Sequence, residues 1–378
     1  MTSNLMLDHP DRPAAAPPST TFAALRRDRV ADLVRVASLG VVIVWHSTMS
    51  LFHRSHTGVL GMPNPIGSYH GLWLLTWVLQ VMPLFFIVSG AVNADAWDRH
   101  RRRGGTTGSF TSQRAARFAG PLGVLVGLCA AAELFARSCG YGPFLGRHLV
   151  ILVPLWTLAL LIAYAPATPA LASAYERWGI SATVGLVGAV LLSDLCRFHF
   201  HVGLAGAVST TLVWLLAYQL GWVYRSAVRA GADRCREVGR PLAIVGLVGL
   251  VISTNIGLYP RSMVATSTDA MSNLLPTTVP IAALALLQCG LLLLLRPRLD
   301  AWLAGERAWK RVEWAGRYAL PAYLLHMVAV VALILVAEAC GVRFHARPTV
   351  AWWLIRPLWF AAVLVFLAPL LKVAKRAF

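Results

Sequence analysis

The sequence predicts an all-α, polytopic membrane protein with about ten transmembrane helices and both termini in the cytosol. Of its 378 residues, 57% are hydrophobic and only 13% are charged, whereas a water-soluble domain carries roughly 25% charged residues. The hydrophobic residues fall into separate runs of about 20, the length that an α-helix needs to cross a bilayer. This composition excludes a disordered chain, a coiled coil and an ordinary cytosolic enzyme.

Ten hydrophobic runs along the chain predict the transmembrane helices. They are Leu33 to Phe52, Leu72 to Ala94, Phe118 to Arg137, Leu149 to Ala165, Ile180 to Leu195, Val202 to Val223, Leu242 to Gly257, Pro276 to Leu295, Leu320 to Cys340 and Ala351 to Leu371. The first 25 residues are rich in Pro, Ala, Ser and Thr, which predicts a flexible tail before one transmembrane domain over residues 26–378. The longest interval between runs, Arg296 to Ala319, is too short to form a second core.

The basic residues predict the orientation. The chain has 34 Lys and Arg against 16 Asp and Glu, a formal net charge of +18. Most of these basic residues fall before the first run and after every second run, and such residues concentrate on the cytosolic side of membrane proteins. The positive charge therefore reflects topology, with the lipid bilayer as the surroundings and no nucleic acid as partner.

Ionisable residues in the first run are the strongest functional signal, because a charge inside a bilayer needs a partner, a cavity or a function. Arg35 and His46 are eleven positions apart, which is close to three helical turns and places them on one face, roughly 16 Å apart along the axis. Asp32 is positioned to pair with Arg35. Two simpler interpretations stay open: His46 packs against another helix, and Arg35 marks the cytosolic side.

Two further motifs follow. Pro83 precedes the Ser89-Gly90 pair in the second run, and such residues suit a helix that lines a cavity or one that packs closely on a neighbour. Arg114 and Arg117 lie one turn apart at the cytosolic entrance of the third run, where two guanidinium groups can bind phosphates. Binding of lipid head groups is the alternative.

Together these motifs resemble the acyltransferase-3 family of integral membrane acyltransferases. The matching residues, in order, are Arg35-x10-His46, Pro83 to Gly90, Arg114-x-x-Arg117 followed by Pro121, and the Tyr-Leu-x-His signature at Tyr323 to His326. The resemblance covers about residues 26–371. It implies transfer of an acyl group other than amino-acyl, commonly acetyl, from cytosolic acyl-CoA to a hydroxyl of a glycan, lipid or natural product. Acyl-CoA is then a co-substrate, and no tightly bound cofactor is implied.

The resemblance also implies residue roles: His46 is the catalytic histidine, and Arg35, Arg114 and Arg117 recognise the donor. An unprotonated histidine is a suitable base for activating a hydroxyl near neutral pH. His326 is a second candidate or a packed histidine, and Glu133 lies within a span as a further polar group.

Other interpretations stay open. No metal is expected, because His199 and His201 lack further ligands at suitable spacing. A proton-coupled transporter would use Arg35, His46 and Glu133 as a proton relay, and a non-catalytic membrane sensor would bind a cytosolic partner through the basic loops. The expected location is the plasma membrane of a bacterium, and homo-oligomer formation is left open.

Overall fold

The all-α membrane fold is confirmed. The computed structural model describes residues 27–266, 269–344 and 347–374, and the predicted tail over residues 1–25 lies outside these ranges. Within them, nine segments are long and apolar enough to cross a membrane, and a bent pair of helices brings the number to ten. The ten predicted runs correspond to these ten segments.

The described residues form helices α1 to α13 and one small hairpin. The helices are α1 (Arg29–Thr48), α2 (Trp73–Leu79), α3 (Met82–Arg102), α4 (Thr107–Ser138), α5 (Phe144–Arg147), α6 (Leu155–Tyr164), α7 (Thr168–Trp178), α8 (Ile180–Phe198), α9 (Ala205–Ala230), α10 (Ala232–Asn255), α11 (Val279–Ala304), α12 (Glu306–Ala339) and α13 (Val350–Ala374). Two 3-10 turns, Pro65–Ser68 and Leu149–Leu152, and antiparallel strands β1 (His53–Arg54) and β2 (Leu60–Gly61) complete the list.

Helix α1 begins four residues before the predicted run. Asp28 caps it, because its side chain accepts a hydrogen bond from the backbone N–H of Ala31 at 3.0 Å and so satisfies a free donor of the first turn. The helix ends at Thr48, before the predicted Phe52. Asp32 consequently lies in the first turn and His46 in the last.

The segment that begins with the fourth predicted run, Leu149 to Ala165, continues past that run and is bent. Residues 149–164 and α7 are bent by 61° relative to each other. Proline lacks an N–H and clashes with the preceding helical turn, so α6 ends before Pro166 and α7 begins with Pro169 in its first turn. The second span is also interrupted, at Gln80 and Val81 between α2 and α3.

The interval Arg296 to Ala319 between the eighth and ninth predicted runs is helical except at Gly305. Helices α11 and α12 meet at Gly305, and their charged ends carry ion pairs one turn apart, Arg296 to Asp300 at 2.6 Å and Glu306 to Lys310 at 2.8 Å, which stabilise exposed helix. With 34 residues, α12 is about 51 Å long, against a hydrocarbon core of about 30 Å. Its first turns therefore extend beyond the bilayer at the end that the charge distribution assigns to the cytosol, called here the inner end.

Close packing of α3 on α9 organises the centre of the bundle. Gly90 and Gly221 lie where the two backbones touch: a Cβ on Gly90 would overlap the carbonyl oxygen of Tyr218, and one on Gly221 would overlap the backbone of Ala91. Small residues allow such approach between membrane helices. For Gly90, the packing interpretation is the one that the structure supports.

We expect Gly90→Ala to destabilise the protein by about 1–3 kcal/mol, because the new methyl group meets backbone that cannot move aside. Thermal unfolding of purified protein in detergent, followed by the loss of monodisperse protein, measures this. Gly123→Ala is the matched control, since a Cβ on Gly123 of α4 meets nothing within 4 Å. Equal midpoints for the two variants would contradict the close contact of α3 and α9.

Candidate active site

An inner cavity of about 340 Å³ opens at the inner end of α1, α3, α4 and α12. Four arginines line it: Arg35, Arg114, Arg117 and Arg317. Among the described residues of its wall there is no Asp or Glu. The inner cavity is therefore strongly cationic and suited to an anion.

Two of these arginines contact other side chains, and two make no such contact with the described residues. Arg35 Nη2 donates to Asp32 Oδ1 at 3.0 Å, as predicted, and Asp32 also pairs with Arg27. The Arg114 guanidinium lies over the Phe110 ring, 5.0 Å from its centroid. Arg117 and Arg317 have no hydrogen bond or ion pair within the described parts of the chain and are exposed at the cavity mouth.

An outer cavity of about 250 Å³ lies towards the opposite end of the bundle, next to the break between α2 and α3. Its wall includes His46 and the aromatic side chains of Trp45, Trp156 and Tyr323. None of the described residues lining it is Asp, Glu, Lys or Arg. The outer cavity is thus largely apolar, with a few neutral polar groups and one histidine.

The two cavities are separated by a septum one side-chain layer thick. On α1, Leu39 lines the inner cavity and Val42 the outer one; on α3, Phe85 lines the inner and Met82 the outer. Three helical residues correspond to about 4.5 Å along the axis. Arg35 and His46, which the sequence placed on one face, therefore lie on opposite sides of this thin septum.

His46 is hydrogen-bonded to a second histidine. His46 Nδ1 lies 3.1 Å from His326 Nε2, with the rings stacked at 5.3 Å between centroids and 22° between planes. His326 is fully buried, and its Nδ1 lies 2.6 Å from the carbonyl oxygen of Tyr323.

This geometry assigns the protons on both neutral rings. A carbonyl only accepts, so His326 Nδ1 carries the hydrogen and His326 Nε2 is an acceptor. His46 Nδ1–H must then donate to it. The remaining nitrogen of His46, Nε2, is left with a free lone pair and can act as a base.

Tyr323 fixes the position of this pair. Its hydroxyl donates to the carbonyl oxygen of Pro154 at 3.1 Å and lies 2.9 Å from Thr157 Oγ1. These bonds attach α12 to the start of α6. Tyr323 therefore has two roles. Its carbonyl oxygen accepts the hydrogen bond of His326, and its side chain lines the outer cavity.

The remaining predicted residues are dispersed. Ser89 lines the inner cavity. Glu133 accepts from Arg137 Nε at 2.7 Å and from the Leu145 N–H at 3.0 Å, and lines neither cavity. The relay of Arg35, His46 and Glu133 that a transporter would need is thus not assembled in one cavity.

No metal centre is evident in the described ranges. His199 and His201 follow the outer end of α8, and no group of three or more His, Cys, Asp or Glu residues there could hold a metal ion.

Sequence reasoning missed Arg317, Trp156 and Gln80. Arg317 was counted only as a topology signal; recognising that α12 begins at Glu306 would have placed it on the helix of the Tyr-Leu-x-His signature. Trp156 and Gln80 lie near Pro154 and Pro83, which stand at the starts of α6 and α3, and prolines within a hydrophobic run are the signal that could have drawn attention to them.

Comparison with known proteins gives one result. The sequence matches a family model described as an acyltransferase domain over residues 30–371. No curated protein and no solved structure matches the chain.

Proposed function

Because the chain belongs to the acyltransferase-3 family of membrane acyltransferases, we propose that it moves an acyl group, acetyl foremost, from cytosolic acyl-CoA to a hydroxyl of a glycan, lipid or natural product on the outer side of a bacterial plasma membrane. One observation carries the proposal: a cationic inner cavity and a neutral outer cavity meet at a septum beside His46.

The donor occupies the inner cavity. The phosphate groups of acyl-CoA pair with Arg114, Arg117 and Arg317 at the mouth, and guanidinium groups bind phosphate oxygens through paired N–H donors. Arg35, held by Asp32, adds positive charge deeper in the cavity. The pantetheine arm then directs the thioester towards the septum, while the charged part of the donor stays outside the hydrocarbon region.

The acceptor occupies the outer cavity. Its hydroxyl lies against His46 Nε2, which takes the proton as the oxygen attacks the thioester carbonyl. The resulting C–S cleavage leaves the electron pair on sulfur, and the proton on His46 returns to that thiolate. His326 keeps His46 in the tautomer that this step needs.

The lining of the outer cavity suits an uncharged acceptor. A charged acceptor would lose its hydration without an opposite charge to compensate for it. The faces of Trp45 and Trp156 offer apolar contact, and the hydroxyl of Ser50 offers a hydrogen bond. A polyhydroxylated acceptor without charge fits these groups best.

We expect His46→Ala to abolish release of CoA from acetyl-CoA by purified protein in detergent or liposomes, with water or an added acceptor taking the acetyl group. Loss of a general base typically costs 10²–10⁴-fold. Free CoA separated by chromatography measures the rate. His199→Ala, at an exposed histidine beyond α8, is the control that keeps full activity. Undiminished turnover in His46→Ala would contradict the proposed role of His46 as the base.

The arginine cluster gives a second prediction. Arg117→Ala and Arg317→Ala each raise the KM for acetyl-CoA about tenfold or more, since each removes a charged hydrogen bond to phosphate. The KM for acetyl-pantetheine, which lacks those phosphates, stays unchanged. Arg307→Ala, on the exposed first turn of α12, leaves both values unchanged. Equal effects on the two donors would show that the arginines do not bind phosphate.

His326 is expected to act as a positioning residue. His326→Leu lowers kcat about 100-fold or more, because His46 then loses the acceptor that fixes its tautomer. The KM for acetyl-CoA stays near the wild-type value. His326→Gln, whose amide oxygen can accept the same hydrogen bond, restores part of kcat. A purely structural role would instead reduce the amount of folded protein in both variants and leave kcat per folded molecule unchanged.

A further inference from the structure

The break between α2 and α3 is built into the wall of the outer cavity. Non-helical backbone at membrane depth persists only where it is buried in protein or borders a cavity. Gln80 directly follows α2 as its C-cap, and it lines the outer cavity together with His46.

A second glutamine holds this break in place. Gln288 of α11 is buried; its Nε2 donates to the carbonyl oxygen of Gln80 at 2.8 Å, and its Oε1 accepts from the N–H of Leu84 at 3.2 Å. It therefore satisfies a free carbonyl at the end of α2 and a free N–H at the start of α3. The backbone around Gln80 is fixed rather than loose.

The side chain of Gln80 is itself oriented. It is only 7% exposed, and its Oε1 accepts a hydrogen bond from the backbone N–H of Met82 at 3.3 Å. Because a backbone N–H only donates, the oxygen of the amide must face Met82, and Nε2 faces the other way. Within the described chain, Nε2 of Gln80 has no hydrogen-bond partner.

The other amide in the wall differs in this respect. Asn64 donates through Nδ2 to the carbonyl oxygen of Ala265 and accepts at Oδ1 from the N–H of Ile66 at 3.1 Å. Thr76 is likewise engaged, donating to the Trp73 carbonyl oxygen at 2.6 Å and accepting from Met263 N–H at 2.9 Å. Gln80 thus contributes an oriented N–H donor that no protein group uses within the described parts of the chain.

We propose that Gln80 is a catalytic residue whose Nε2–H donates a hydrogen bond to the oxyanion that forms on the acyl carbonyl during transfer. The inference rests on the proposed function and extends it to a residue outside the family motifs. Preorganised N–H donors at the site of developing charge are among the strongest contributors to acyl transfer.

The acceptor oxygen forms a bond to the thioester carbon and gives its proton to His46 Nε2, and the C=O electron pair moves onto the carbonyl oxygen. That oxyanion accepts from Gln80 Nε2–H. As the C=O bond re-forms, the C–S bond breaks, its electron pair goes to sulfur, and the thiolate takes the proton from His46.

Two variants of Gln80 test the proposal with acetyl-CoA as donor and water as acceptor. Gln80→Glu keeps an oxygen for the Met82 N–H and removes the N–H donor; Gln80→Met removes both without adding a charge. We expect kcat to fall about 10²–10³-fold in both, with the KM for acetyl-CoA within threefold of wild type. Asn255→Asp, the same amide-to-carboxylate change at the exposed outer end of α10, keeps wild-type kcat.

The values of kcat in the two variants distinguish a catalytic role of Gln80 from a purely structural one. If Gln80 serves only to cap Met82, Gln80→Glu retains kcat and only Gln80→Met loses folded protein, which overturns the proposal. A kcat within threefold of wild type in either folded variant also overturns it. If neither variant folds, Gln80 is a structural residue and the proposal is wrong.

Comparison with His46→Ala distinguishes failure of the oxyanion role of Gln80 from failure of the proposed acyltransferase mechanism. Loss of activity in His46→Ala with full activity in Gln80→Glu removes the oxyanion role and leaves the acyltransferase mechanism standing. Full activity in both variants removes the proposed mechanism itself.

Discussion

The hydrogen bond between His46 and His326 is the interaction on which the rest of the site depends. It joins α1 to α12 at 3.1 Å, and the carbonyl oxygen of Tyr323 behind it leaves one arrangement of protons on the two neutral rings. A histidine in a membrane helix with no such partner would have no fixed tautomer and no fixed direction. Here the pair holds His46 in the wall of the outer cavity, and the hydrogen bonds of the Tyr323 hydroxyl to Pro154 and Thr157 connect α12 to α6.

The same requirement, that buried polar groups find partners, explains why a broken helix lies opposite the histidine pair. A continuous second span would satisfy its own backbone groups. The interruption places Gln80 in the wall of the outer cavity and leaves free backbone groups, which Gln288 satisfies from α11. The close contact of α3 with α9 at Gly90 packs the remainder of the span against the bundle.

The sequence sufficed for the fold class and for residues whose type is costly in a membrane. Arg35, His46 and the Arg114 and Arg117 pair could be identified because a charge or a histidine there demands an explanation. Arg317 could not, because it lies in a basic segment that topology already accounts for. Nor could the septum, which arises from packing of α1, α3 and α12, helices far apart in sequence whose mutual arrangement no local pattern encodes.

The thin septum also argues for a transferase rather than a transporter. A transporter must carry its whole substrate past the barrier, whereas an acyltransferase need only pass an uncharged acyl group. The inner cavity holds four arginines and the outer cavity no described charged side chain, so an anionic group is stabilised on one side only. Moving such a charge through the septum would be costly, but an uncharged acyl group would need to advance only about one helical turn, roughly 5 Å. This asymmetry suits the transfer of an acyl group from a donor that stays on the inner side to an acceptor on the other.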